Sequence, residues 1–171
     1  MRKITRIVVG SIVLALVLGI GGIGAIMAVS WSEERGVRTA VTEFGERLKN
    51  VSLTAEPSAV HESVQHEYAP YVATALLSQW EADVTKVPGR PTSSPWPEGI
   101  EIVNIFPLGE TYFVEGTVSY VTSDSLVGEG PGIQTLEEVA LVVAQEDDGA
   151  WKITDYTVKQ SETSLDTKEG Q

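Results

Sequence analysis

The chain has 171 residues, 24 acidic and 12 basic, for a net charge of −12, and it contains no cysteine. A binder of phosphate backbones needs clustered cations, whereas the basic residues here are scattered among carboxylates, so nucleic acid is excluded as a partner. Without disulfides, stability has to come from a hydrophobic core, and the acidic surface keeps such a domain soluble without dictating its fold.

The first element is the run IVVGSIVLALVLGIGGIGAIMAV, Ile7 to Val29, which has no charged residue and only Ser11 as a polar side chain. As a helix rising ~1.5 Å per residue it extends roughly 35 Å, enough to cross a bilayer core of ~30 Å. Gly19, Gly21 and Gly24 within it match the spacing G-x-G-x-x-G. A nucleotide loop needs a short strand before it and a water-accessible helix start after it, so the match is fortuitous. Arg2, Lys3 and Arg6 precede the run and Glu33 and Glu34 follow it; the basic end stays in the cytoplasm, which places the rest outside. All the acids lie beyond residue 30 and three of the basic residues before it, so the exported part carries −15.

A cleavable signal peptide is the alternative, with small residues at Ala28-Val29-Ser30. Its apolar region is normally about 7–15 residues, shorter than this run, and that length favours an uncleaved single-pass anchor. Gly21, Ala25 and Ala28, with Gly24 beside them, lie near one helical face and would let two anchors pack into a homo-oligomer; the plainer reading is a glycine-tolerant helix facing lipid. Trp31 is placed as an interfacial anchor.

Beyond the run, SWSEERGVRTAVTEFGERLKN carries Val37, Ala40, Val41, Phe44 and Leu48 at three- and four-residue spacing, which predicts an amphipathic helix. Ser30 and Glu33 have capping-box spacing. Pro57 suits the first turn of a second helix carrying Val60 and Val64, and Pro70 the opening of a third with Val72, Leu76 and Trp80 on one face. The stretch TKVPGRPTSSPWPEG, residues 85 to 99, has four prolines and cannot continue a helix. The period then changes. IEIVNIF (100–106) and TYFVEGTVSYV (111–121) read as strands; in the second, Tyr112, Val114, Val118 and Tyr120 alternate with Glu115, Thr117 and Ser119, and Gly116 marks a bulge or bend. A glycine-rich connection, a strand from about Ile133 to Gln145, the turn Asp147-Asp148-Gly149 and a last strand AWKITDYTVK follow, and the polar tail after Ser161 lacks periodicity. Helices first and antiparallel strands afterwards make an α+β domain.

Three helices, a proline-rich crossing loop and a four-stranded meander ending in GAWKITDY resemble the nuclear transport factor 2-like (cystatin-like) superfamily. More narrowly, GRPTSSPWPEGIEI resembles a segment of membrane-anchored extracytoplasmic bacterial members of that fold. The resemblance spans roughly residues 33 to 160 and implies a curved four-stranded antiparallel sheet wrapping three helices around a conical pocket. It leaves function open: some relatives are isomerases or polyketide cyclases with a carboxylate base and a tyrosine donor, while others are tethered assembly subunits of conjugation and secretion machines without catalysis. Activity therefore has to be argued from a site.

The candidate site residues are few. His61 and His66 lie five apart on a short helix, about 140° around it, which does not suit a metal, and no cysteine is available to complete one. For proton transfer in a pocket the available types are Glu115, Asp155, Tyr112, Tyr120 and Tyr156, but alternation turns Glu115 away from Tyr112 and Tyr120. Arg90 and Trp96, in the proline-stiffened loop, are suited to holding a partner or closing over the pocket; the structural alternative has Trp96 plugging the sheet and Arg90 paired with an acid. Arg90, Trp96, Tyr112 and Tyr120 are thus the partner or ligand candidates, with no catalytic, cofactor or metal residues assigned.

These readings divide the chain into a basic stub and anchor (1–30), an extracytoplasmic domain (31–160) and a polar tail (161–171). The expectation is a non-catalytic binding or assembly domain tethered to a bacterial cytoplasmic membrane, its partners other envelope, secretion or conjugation-type proteins. The alternatives are a small-molecule isomerase or cyclase, and a ligand-binding protein released by cleavage.

Overall fold

Apolar side chains three and four apart give residues 31–47 a helix, α1, and Val37, Ala40, Val41, Phe44 and the following Leu48 are all buried, as their spacing predicts. The computed structural model describes residues 31–122 and 133–159. The apolar run 7–29, the cap at Ser30 and the tail from 160 lie outside them. Among the described residues no helix is long and apolar enough to cross a membrane. The chain divides after Gly36 into two units; of the first, residues 31–36 are described, all helical, with Trp31 exposed. The rest of the fold belongs to the unit that begins at Val37.

After a 3-10 turn at Leu48–Asn50 come α2, Pro57–Tyr68, and α3, Thr74–Ala82. The second helix has proline in its first turn and buries Val60, Val64 and Tyr68, as expected. The third begins four residues later than its proline suggests. The reason is a competing set of backbone bonds: Ile153 N–H donates to the Tyr71 carbonyl (2.8 Å) and Ala73 N–H to the Ile153 carbonyl (2.9 Å), so Tyr71 to Ala73 run extended beside a strand before the helix can start.

Four strands follow: β1 Trp96–Leu108, β2 Thr111–Val121, β3 Ile133–Gln145 and β4 Trp151–Val158. They form one open antiparallel sheet in sequence order, and the three helices pack against it. The first strand is longer than its β-branched centre indicated and takes in Pro97 and Pro107, which an edge strand tolerates because one row of its N–H groups needs no ladder partner. The β3–β4 turn has Gly149 at φ 85°, with Ala150 N–H donating to the Asp148 carboxylate (2.9 Å).

Ile100 is the tightest junction. A Cβ on Gly45 of α1 would lie 2.6 Å from the Ile100 nitrogen and 3.0 Å from its Cβ, and one on Gly116 of β2 would lie 2.7 Å from Ile100 Cγ2. Two glycines therefore let helix and strands close on this one side chain. The bulge expected at Gly116 falls on the opposite strand: the register slips between Ile102, which pairs with Gly116, and Asn104, leaving Val103 unpaired and exposed.

The core is centred on rings. Phe44 lies 5.0 Å from Tyr68 and 6.3 Å from Trp80, and Tyr156 from β4 meets Phe44 at 6.0 Å and Trp80 at 6.4 Å, between centroids. Buried Tyr68 also donates its hydroxyl to the Pro88 carbonyl (2.6 Å), which ties the proline-rich loop to the core. Burial first, and then the nearby Tyr156, Glu67 and Tyr120, pushes the Tyr68 phenol well up, so it stays a donor throughout the ordinary pH range. Tyr68→Phe strands that carbonyl, and a loss of about 1–2 kcal/mol is expected in urea unfolding. A loss below measurement error would show that the carbonyl finds water instead.

Candidate functional site

Strand alternation sets what faces the helices. On β2, Tyr112, Val114 and Val118 are buried and Tyr120 half-buried, while Phe113, Glu115, Thr117 and Ser119 take the other face. Counting back along β3 from the buried Val143, Leu141 and Val139 puts Glu137 on the same inward face, directly across from Val118. Its neighbour Leu136 is 60% exposed on the outer side. At this end of β3 the usual polarity is reversed, with the carboxylate inside and the leucine outside.

Glu137 faces a cavity of about 500 Å³ bounded by α3, the loop Thr85 to Pro91 and the ends of β2, β3 and β4. The walls include Leu76, Trp80 and Val87, and the polar groups include Glu137, Tyr120, Tyr156, Asp155 and Lys86. A volume of this size suits a small organic molecule. The Tyr120 and Glu137 side chains hydrogen-bond to each other. Burial raises the Glu137 carboxyl above its ordinary value, partly offset by the Tyr120 hydrogen bond. Burial first, and then the Glu137 charge, pushes the Tyr120 phenol up to about 12; the same two causes raise Tyr156 further. The corner thus presents two phenols that stay protonated beside a carboxyl whose burial disfavours ionisation, and these groups can hydrogen-bond to something placed in the cavity.

The Glu137 shift fixes a pH signature. A carboxyl raised on folding contributes stability that is complete below its unfolded value of about 4.3 and is lost as the pH rises through the higher folded value. Glu137→Gln lacks that loss. The variant is expected to melt above the parent at pH 7.5 and to lose the advantage at pH 3.5. An advantage of equal size at both values would rule out titration as its source.

Of the residues singled out in the sequence, Tyr120 lines this cavity, as do Asp155 and Tyr156. Tyr112 lies apart, buried edge-on against Trp151 with centroids 5.4 Å apart. Glu115 is turned away, as alternation predicts, and is held on the other face by Lys159 (2.6 Å) and Asn104 (3.1 Å), whose hydrogen bonds lower its pKa. Sequence reasoning missed Glu137, although a strict alternation count back from Val139 finds it.

Arg90 and Trp96 are brought together, with Lys49 and Ser93, around a second and smaller hollow of about 270 Å³. Gly89 and Pro91, on either side of Arg90, line the large cavity instead. Among the described residues Arg90 is not paired with an acid, and its Nε–H is buried with no acceptor. Trp96 starts β1, half-buried, and donates its indole N–H to Glu98 (3.2 Å). A cis peptide bond joins Ser94 to Pro95 in the same loop.

His66 is at the surface, with Nδ1 3.0 Å from Glu67, and His61 is half-buried five positions away. Among the described residues no group of histidine, aspartate and glutamate is arranged to hold a metal ion. No family model matches the chain, and neither does any curated protein.

Proposed function

We propose that the chain is a single-pass, membrane-tethered extracytoplasmic domain of the bacterial cell envelope, of nuclear transport factor 2-like form, which binds a small, largely apolar molecule in the cavity beneath its sheet. The observation that carries the binding reading is the inward Glu137 at the polarity reversal of β3, hydrogen-bonded to Tyr120 where a core strand would ordinarily place an apolar residue. Such a local conflict between pattern and position is characteristic of functional sites. Leu76, Trp80 and Val87 supply the apolar walls, and Glu137, Tyr120 and Tyr156 fix the orientation of one polar group on the ligand. Topology rests on the uncharged run 7–29 behind Arg2, Lys3 and Arg6. A tethered binding domain of this kind works with other envelope proteins, secretion or conjugation-type assemblies among them.

The test is native mass spectrometry of the full-length chain extracted from membranes into nanodiscs. A small molecule is expected to copurify, and its occupancy to fall about 10-fold or more in Glu137→Gln and in Tyr120→Phe, on the scale of one hydrogen bond to a charged group. No adduct, together with recovery of the chain in the soluble cytosolic fraction, would sink both halves of the reading.

The second reading is an isomerase or cyclase. What favours it is the raised carboxyl beside a phenol that remains protonated, since general acid–base work needs a carboxyl tuned toward neutrality within reach of a donor. Exchange of solvent deuterium into the copurified molecule, lost in Glu137→Gln, separates it from simple binding.

A further inference from the structure

We infer that the hollow walled by Lys49, Arg90, Ser93 and Trp96 is a binding site for an oxyanion, a carboxylate or a phosphate, separate from the cavity beneath the sheet and independent of what that cavity holds. Arg90 is held firmly at its backbone: its N–H donates to the Val51 carbonyl (2.8 Å) and its carbonyl accepts from Leu53 N–H (3.0 Å). Gly89 packs against the same Val51 carbonyl so closely that an added Cβ would lie 2.7 Å from it. The guanidinium is therefore presented from a fixed point.

Among the described residues that guanidinium meets no acid, and its buried Nε–H has no acceptor. Among the described residues from Val37 onward, Arg47 meets Glu67, Lys49 meets Glu98, Lys86 meets Asp83, Lys159 meets Glu115, and Lys152 donates to the Ala69 and Pro70 carbonyls. Arg38 is engaged as well. Arg90 is the exception among these described cations, and its Nε–H is shut off from solvent. A buried donor without an acceptor calls for an explanation, and a bound anion supplies one.

The polar side chains around the hollow are donors: the Lys49 ammonium, the Arg90 guanidinium and the Ser93 hydroxyl. A guanidinium fork matches a carboxylate or phosphate through two parallel hydrogen bonds. Exposed Glu98 is occupied by Lys49 (3.3 Å) and the Trp96 indole (3.2 Å) and so holds two walls in place. At about 270 Å³ the hollow takes the anionic end of a larger molecule.

The experiment follows the Arg90 Nε–H and Trp96 indole N–H resonances of the full chain in maltoside micelles, which carry no anionic headgroup. The probes are inorganic phosphate, a short peptide with a free terminal carboxylate, and the same peptide amidated. Both resonances are expected to shift and saturate with phosphate or with the free peptide, the stronger probe identifying the source of the anion. Binding should weaken at least 10-fold in Arg90→Gln and partly recover in Arg90→Lys. Without anion, Arg90→Gln is expected to melt no lower than the parent, because it removes a donor that had no acceptor. A shift that never saturates, equal binding by the amidated peptide, equal response in Arg90→Gln, or a marked fall in that variant's melting point would each overturn the site.

Discussion

Trp80→Ala is expected to remove about 3–5 kcal/mol from the unfolding free energy, the range for deleting a buried large aromatic. Trp80 is 2% exposed and touches three other rings, with Phe44 roughly parallel to it and Tyr68 and Tyr156 edge-on. Its loss removes those ring contacts and merges the vacated volume with the adjoining cavity, which water can enter. The neighbours cannot close the gap easily, since Tyr68 is tied to Pro88 through its hydroxyl. Urea unfolding of the full chain in mild detergent reads the effect. A loss under about 1 kcal/mol would mean that the ring cluster does not support the core.

Gly45→Ala is the second large effect and runs against helix propensity. Alanine normally improves a helix interior by about 1 kcal/mol over glycine. Here the new methyl would stand 2.6 Å from a backbone nitrogen of β1, an atom that cannot swing aside as a side-chain tip can. α1 would have to back away from the sheet, and a net loss of about 1–3 kcal/mol is expected. Neutral or improved stability would show that helix and strand can separate at no cost. Gly99→Ala is the internal control, because a Cβ there meets nothing within 4 Å.

The elements that local pattern alone decides were readable in the sequence. The stripe from Val37 to Leu48 is buried, Pro57 opens α2, and β2 occupies residues 111–121 with its faces as alternation assigns them. What escaped depended on partners far along the chain. The late start of α3 is set by Ile153, some eighty residues away, and no local preference at Pro70 reports it. Glu137 was hidden because a charged residue near a strand end reads as solvent-facing, whereas register against Val118 fixes its side. Arg90 and Trp96 were placed together by their loop, but the sequence could not show that the described acids would leave Arg90 without an ion pair. Tyr112 has the same facing as Tyr120 and still misses the cavity, because residues eight apart on a strand are roughly 27 Å distant.

The extended segment Tyr71 to Ala73 has a consequence for how copies of this domain behave when crowded. By bonding to Ile153 it occupies part of the outer margin of β4, where another molecule's chain would otherwise attach. The opposite margin, on β1, is broken by Pro97, Pro107 and two register slips, so neither side offers a long, regular ladder for stacking. The sheet is open in topology yet poorly suited to templating fibrils, and replacing Pro107 with valine is the change that would begin to remove that protection.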